Sequence, residues 1–285
     1  MEYGAHLPLM DLGTPPTLRG LKAYAEAAAD AGYRYLCAND HLLFSRAWLD
    51  GPTALAAVID ESRDMTLATT AALPVIRGPA PLAKALAALD VLSDGRVLAG
   101  VGPGSSERDY ALAGIPHDER WRRFDEALPA LRSLLHGDVL QPRPVQRPGP
   151  PIWVASWGSP PGLRRVARHG DGWLASAYNI TPDRFRAAAG ADVVAGMPNA
   201  LATAWLCVTE DAGGAERVLS EVLAPMVGRP VDELRSRALP IGPAEVCAER
   251  MRAFADAGAQ RVFVWPLRDA ARQLELFMER VAPLV

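Results

Sequence analysis

At 285 residues, with 30 basic and 33 acidic side chains, the chain carries a net charge of −3, which offers no electrostatic case for nucleic acid. A hydrophobic fraction of 49% with mean hydropathy near zero fits a soluble globule with a large core, and no apolar run approaches the ~20 residues that span a bilayer. Cys37, Cys207 and Cys247 are odd in number and far apart, so they spell neither a metal motif nor a disulfide framework and point to a reducing cytoplasm. No basic-then-apolar leader precedes the first strand, and no membrane contact is expected. Lysine occurs only at Lys22 and Lys84, and the Arg-, Ala-, Pro- and Gly-rich remainder suggests GC-rich coding.

Taken in order, Tyr3–Leu7 reads as a strand and Leu18–Ala31 as a helix stopped by Gly32. The second strand, Tyr33–Ala38, delivers Asn39-Asp40-His41. A helix begins at Thr53–Ile59, and Met65–Leu73 is the third strand. Pro81–Ser93 has apolar residues at 82, 85, 86, 89 and 92, a helical spacing. The turn signal Asp94-Gly95 leads into Val97–Val101, long enough only for a buried strand, and then into a loop holding Gly102, Gly104 and Glu107. His117–His136 is a helix whose apolar stripe includes Trp121, expected in the core, and Gln141–Pro151 is a proline-rich connection. Ile152–Ser156 and Trp173–Ser176 are strands five and six, the first followed by a helix to His169, the second by Pro182–Ala189. Ala200–Thr209 is the seventh strand, helical segments form an insertion around 210–257, Gln260–Pro266 is the eighth strand and Ala270–Val281 the closing helix. Eight strands alternating with helices over residues 1–285 predict one α/β domain, a (β/α)8 TIM barrel; the alternative is a doubly wound open sheet.

The polar residues cluster after strands, where a TIM barrel places its active site. Asp40-His41 has the form of a carboxylate-oriented imidazole for proton transfer, and equally of a histidine packed in a loop. Glu107 has the form of a general acid or base, and equally of a helix cap. Ser156-Trp157-Gly158-Ser159 before a helix forms a plausible anion cradle or an ordinary capped loop, and Arg164 and Arg165 either add charge there or form a solvated face. Tyr178 follows strand six, His6 ends strand one as a second-rank candidate, and Thr70-Ala71 looks like a plain strand end. No paired spacing such as His-x-His supports a metal site, which argues against a metal-dependent hydrolase.

Leu82-Ala-Lys-Ala-Leu-Ala-Ala-Leu-Asp-Val-Leu-Ser-Asp-Gly-Arg96, then Gly100-Val-Gly-Pro-Gly104 and Glu107, resembles the luciferase-like monooxygenase superfamily of flavin- and deazaflavin-dependent TIM barrels. The glycine-rich turn at 156–162, the Ala-Arg helix and Asp171-Gly172-Trp173 resemble it again. The resemblance implies an oxidoreductase that moves a hydride between coenzyme F420, the first choice, or FMN and a small organic substrate. The alternatives are an FMN-dependent monooxygenase using oxygen and a non-catalytic flavin-binding barrel. It further implies His41 and Glu107 as catalytic groups. Asp40, Thr70, Ala71, Gly102, Gly104, Ser156, Trp157, Gly158, Ser159 and Tyr178 would surround the cofactor, with a cis Thr70–Ala71 peptide supporting its ring. The family's tryptophan four residues after the histidine is replaced here by Ser45, with Trp48 three residues later. The phosphate-binding lysines of the sugar-phosphate branch have no counterpart, since no lysine follows Lys84. A homodimer is the assembly considered.

Overall fold

In the computed structural model, which describes residues 1–285, the eight strands are β1 Glu2–His6, β2 Tyr35–Ala38, β3 Thr66–Ala72, β4 Val97–Val101, β5 Ile152–Ala155, β6 Gly172–Ser176, β7 Asn199–Val208 and β8 Arg261–Pro266. Each pairs in parallel with the next, and β8 returns to β1 with Tyr3 opposite Val262 and Gly4 opposite Phe263. The sheet is therefore a closed barrel with helices around it, and the open doubly wound alternative is excluded. A two-residue strand, Ile241–Gly242, adds to the far end of β7.

The apolar side chains divide into two bodies. A large cluster lies between the strands and the outer helices. A small one, made of Cys37, Ala68, Leu98, Trp153, Leu174, Ala200, Ala202 and Phe263, comes from the strands and fills the lumen. Its two large rings fit because glycines face them. A Cβ at Gly172 would stand 2.5 Å from the Trp153 ring, and one at Gly4 would stand 2.5 Å from Phe263. The barrel is thus plugged by side chains and opens only at its rim.

Local chemistry sets the helix starts that matter here. Ser106 caps Glu107–Leu112, its Oγ accepting from Asp109 N at 3.2 Å, and Ser159 caps Pro160–His169. Glu107 therefore opens a helix. The proline-rich connection is tied down by the buried Asp90 carboxylate, which accepts from the backbone N of Gln146 at 3.0 Å and from its Nε2 at 2.7 Å. Trp121, expected in the core, is 44% exposed, because its position on Arg120–His136 turns toward the rim of the barrel. The segment after β7 is a run of short helical pieces, Ala212–Arg217, Val218–Leu223, Ala224–Val227 and Val231–Arg235, broken at Gly228 with φ 64°. It reaches the barrel mouth at Val227 and Arg229. Ala244–Asp256 then joins the outer ring before β8. No helix is long and apolar enough to cross a membrane.

The closest approach in the barrel wall is at Gly100 on β4, where a Cβ would stand 2.0 Å from the carbonyl oxygen of Thr69. Gly100→Ala must push β3 and β4 apart, and urea denaturation is expected to show a loss of about 3 kcal/mol. Gly213→Ala, whose Cβ meets only ordinary contacts in a surface helix, is expected to show none.

Candidate active site at the barrel mouth

A cavity of about 730 Å³ opens where the carboxyl ends of the strands converge. A smaller depression of about 370 Å³ lies at the opposite face, near the starts of β7 and β8, and gathers no comparable chemistry.

His41 lines the cavity, and its Nδ1 lies 2.8 Å from Oδ2 of Asp109. Asp109 is 1% exposed, and its other oxygen accepts the backbone N–H of Leu43 at 2.7 Å. A carboxylate only accepts, so Nδ1 carries the proton that bonds it, and in the neutral ring the lone pair is then on Nε2. The partner of His41 is thus not Asp40. Asp40 lines the cavity too, but its carboxylate is held by Arg77 at 2.5 and 2.7 Å and by the N–H of Leu73 at 3.3 Å. Arg77 also bonds Asp50, and its charge is held by these carboxylates well above the ordinary arginine range. This cluster braces the β2 loop against the end of β3.

Glu107 does not reach the mouth. Its side chain is 82% exposed, with His117 Nδ1 at 3.7 Å. Successive residues on a helix turn by about 100°, so acids two apart point in nearly opposite directions. Glu107 and Asp109 are such a pair, and only the second faces inward.

The Thr70–Ala71 peptide is cis, and the β3–β4 register shifts between Thr69 and Ala72. Thr70, Ala71, Gly102 and Gly104 all line the cavity. Beneath them His6 is fully buried, with Nε2 3.0 Å from Thr70 Oγ1 and its ring stacked on Trp265 at 4.4 Å. Burial pushes the His6 imidazole down from 6.5 to about 3. From His41 an aromatic arc runs through Trp48 at 4.8 Å, Trp265 at 5.5 Å and Trp205 at 4.5 Å, and reaches Tyr178 at 6.4 Å. Tyr178 lines the cavity under the guanidinium of Arg229, which bonds Asn179 Oδ1 at 2.6 Å and Glu233 at 3.0 Å.

On the β5 side, Ser156, Trp157 and Ser159 line the cavity, with Trp157 half exposed. Gly158 does not: at φ 80° it turns toward Ala188 and Ile180, whose atoms would lie 3.1 Å from a Cβ. The cradle is leaner than its sequence promises. Pro160 and Pro161 supply no N–H, and those of Gly158 and Gly162 are spent on Ser156 Oγ and Ser159 Oγ. The N–H groups of Trp157 and Ser159, the two hydroxyls and the nearby Arg184 remain for an anion. Arg165 is not among them; it pairs with Asp125 at 2.5 Å and lies over Trp121. Neither the Asp109 bond nor the Trp205, Arg229 and Arg77 contacts had a motif to announce them, since each joins residues distant in sequence.

Comparison with known proteins gives a consistent answer. Residues 4–229 match the family model described as luciferase-like monooxygenase. The chain is 29% identical, over 92% of its length and 83% of the relative's, to an F420-dependent hydroxymycolic acid dehydrogenase of Mycobacterium tuberculosis. Among solved structures, monooxygenase RslO1 from Streptomyces bottropensis superposes with a TM-score of 0.82 at 22% identity, covering 99% of both chains. An F420-dependent secondary alcohol dehydrogenase in complex with an F420–acetone adduct does so with a TM-score of 0.82 at 19% identity, covering 100% of this chain and 98% of the other. At those identities the two structures speak for the fold.

His6 yields a pH test. Its folded-state value lies below its unfolded one, so the unfolded chain takes up the proton first. The neutral ring's contribution is complete above about pH 6.5 and is lost as pH falls toward 3. Between pH 6.5 and 5, the unfolding free energy of the wild type is expected to fall more steeply than that of His6→Phe, by up to about 1.4 kcal/mol per pH unit, as read by urea titration. Parallel slopes would show that His6 takes up its proton alike in both states.

Proposed function

Because the chain belongs to the luciferase-like monooxygenase family, we propose that it is an F420-dependent dehydrogenase that exchanges a hydride between the deazaflavin and a small organic alcohol or ketone. The observation that carries this reading is the His41–Asp109 pair beside the Thr70–Ala71 platform. The cavity has the volume of a cofactor site and joins two unlike halves. On one side are small residues against which a flat ring can lie. Ala71 and Ala155 crowd Gly102 so closely that a Cβ there would meet them at 3.3 and 3.2 Å. Ala71, Gly102 and Gly104 would hold the ring system, and Ser156, Trp157 and Ser159 its phosphate.

The cofactor, when bound, supplies hydride acceptance and donation at its ring. The protein handles the proton. In the oxidative direction Nε2 of His41 would take the O–H proton of the substrate, the hydride acceptance that balances it and leaves a carbonyl being the chemistry a bound cofactor would supply. Asp109 holds Nδ1–H and stabilises the imidazolium as it forms, so the proton is taken up where a neutral base is already aimed. The aromatic arc excludes water from the same side. The assignment to F420 draws support from the M. tuberculosis relative, and a proton-transferring histidine serves alcohol oxidation directly.

Native mass spectrometry of the protein offered F420 and FMN together is expected to show F420 retained. Exclusive retention of FMN, with oxygen consumed during turnover, would replace this reading by monooxygenation. With an alcohol panel followed by F420 absorbance, His41→Ala is expected to lower kcat by about 10²–10⁴-fold. Asp109→Asn is expected to lower it about 10- to 100-fold. Glu107→Ala, outside the cavity, is expected to leave it within twofold or so. Equal losses in the Glu107 and Asp109 variants would refute the assignment of Asp109 as the orienting carboxylate.

A further inference from the structure

Thr203 stands apart from every other residue of the barrel wall. Five non-glycine residues have positive φ, and Arg63, Asp94, Ala238 and Asp269 lie in turns or bends. Thr203, at φ 57°, lies inside β7. A β-branched side chain is among the least suited to that conformation, so the surrounding structure must impose it. The cause is visible in the register. On β7 three steps separate Leu201 from Ala204, whereas their partners Val262 and Val264 on β8 are two apart. The extra residue makes a bulge, a device that re-aims a side chain beside an active site.

The bulge delivers Thr203 to the cavity wall. The residue is 8% exposed, and its hydroxyl forms no hydrogen bond with any protein group. A hydroxyl that opens onto the cavity with no protein partner is free to bond a ligand there. Its neighbours define what that ligand is. Phe44, Trp48, Trp205 and Val227 line the same side of the cavity with apolar surface. The one cation beside them, Arg229, is already engaged by Asn179 and Glu233. With that cation engaged and the other lining arginines, Arg108, Arg120 and Arg184, not among these apolar residues, this side of the cavity suits a neutral molecule. Along the arc, Trp48 and Trp265 stand between His41 and Trp205, two residues beyond Thr203.

We propose that Thr203 is a specificity-determining residue. It hydrogen-bonds a second, non-reacting oxygen of a neutral, largely apolar alcohol or ketone whose reacting oxygen faces His41. The proposal rests on the alcohol–ketone reading above and names the substrate class within it.

The test uses binding rather than turnover. Trp48 and Trp205 line the chamber, so UV-transparent ligands are followed by quenching of tryptophan fluorescence. The probes are cyclohexanol, cyclohexane-1,3-diol and cyclohexane-1,4-diol. Wild type and Thr203→Ser are expected to prefer at least one diol over cyclohexanol about tenfold more than Thr203→Val does, the effect of one hydrogen bond. Valine keeps the β-branch, so the backbone demand at φ 57° is the same in the comparison with threonine. An equal diol preference in wild type and Thr203→Val overturns the proposal, and so does the absence of quenching by all three probes. Loss of the diol preference in Thr203→Ser as well as Thr203→Val also overturns it, since packing rather than the hydroxyl would then be responsible. A protein that retains the diol preference but binds no F420 refutes the redox reading and leaves the Thr203 assignment intact.

Discussion

Closure of the sheet between β8 and β1 is the constraint on which the rest of the molecule depends. Once closed, the barrel has no edge, and every strand ends on one of two rims. Its lumen must then be filled. Trp153 and Phe263 do this only because Gly172 and Gly4 leave room for their rings. The packing stops at the carboxyl rim, where small residues on β3, β4 and β5 leave open space. The cavity is what the plug does not reach.

The buried carboxylates Asp40, Asp90 and Asp109 are each satisfied, and the manner of their pairing separates support from chemistry. Asp90 and Asp40 are locked by Gln146 and Arg77 and serve as braces. Asp109 is locked too, but by a histidine with one ring nitrogen left over. A carboxylate held by a guanidinium has no further use for its charge, whereas one held by an imidazole passes the effect to Nε2. The same comparison applies to the hydroxyls. Thr69 is bonded to Gly100 O and Thr70 faces His6, while Thr203 bonds nothing in the protein.

Much of this was legible in the residues. The alternation of apolar runs with helical spacings located all eight strands, because strand burial and helix amphipathicity are local patterns. The helix stops at Gly32 and Gly170 followed from local chemistry as well. The resemblance carried by 82–107 and 156–173 added the family and the cis Thr70–Ala71 bond, which spacing alone does not suggest. His41 was found for the same reason, since a polar residue following a buried strand stands out.

What the sequence could not decide was which partner each group meets. Asp40 is adjacent to His41 in the chain, yet Asp109, 68 residues away, holds the ring. Glu107 was the visible acid, and one turn direction on a short helix sent it to solvent. Trp121 fitted the apolar stripe, and Gly158 the cradle, but the angle of each against its neighbours turned one to the rim and the other inward. The bulge that places Thr203 depends on a one-residue mismatch between β7 and β8, strands separated by more than fifty residues. Periodicity along a chain determines the elements and their order. The direction of a side chain at a shared rim is set by register and packing among elements, and it exists only once the barrel has closed.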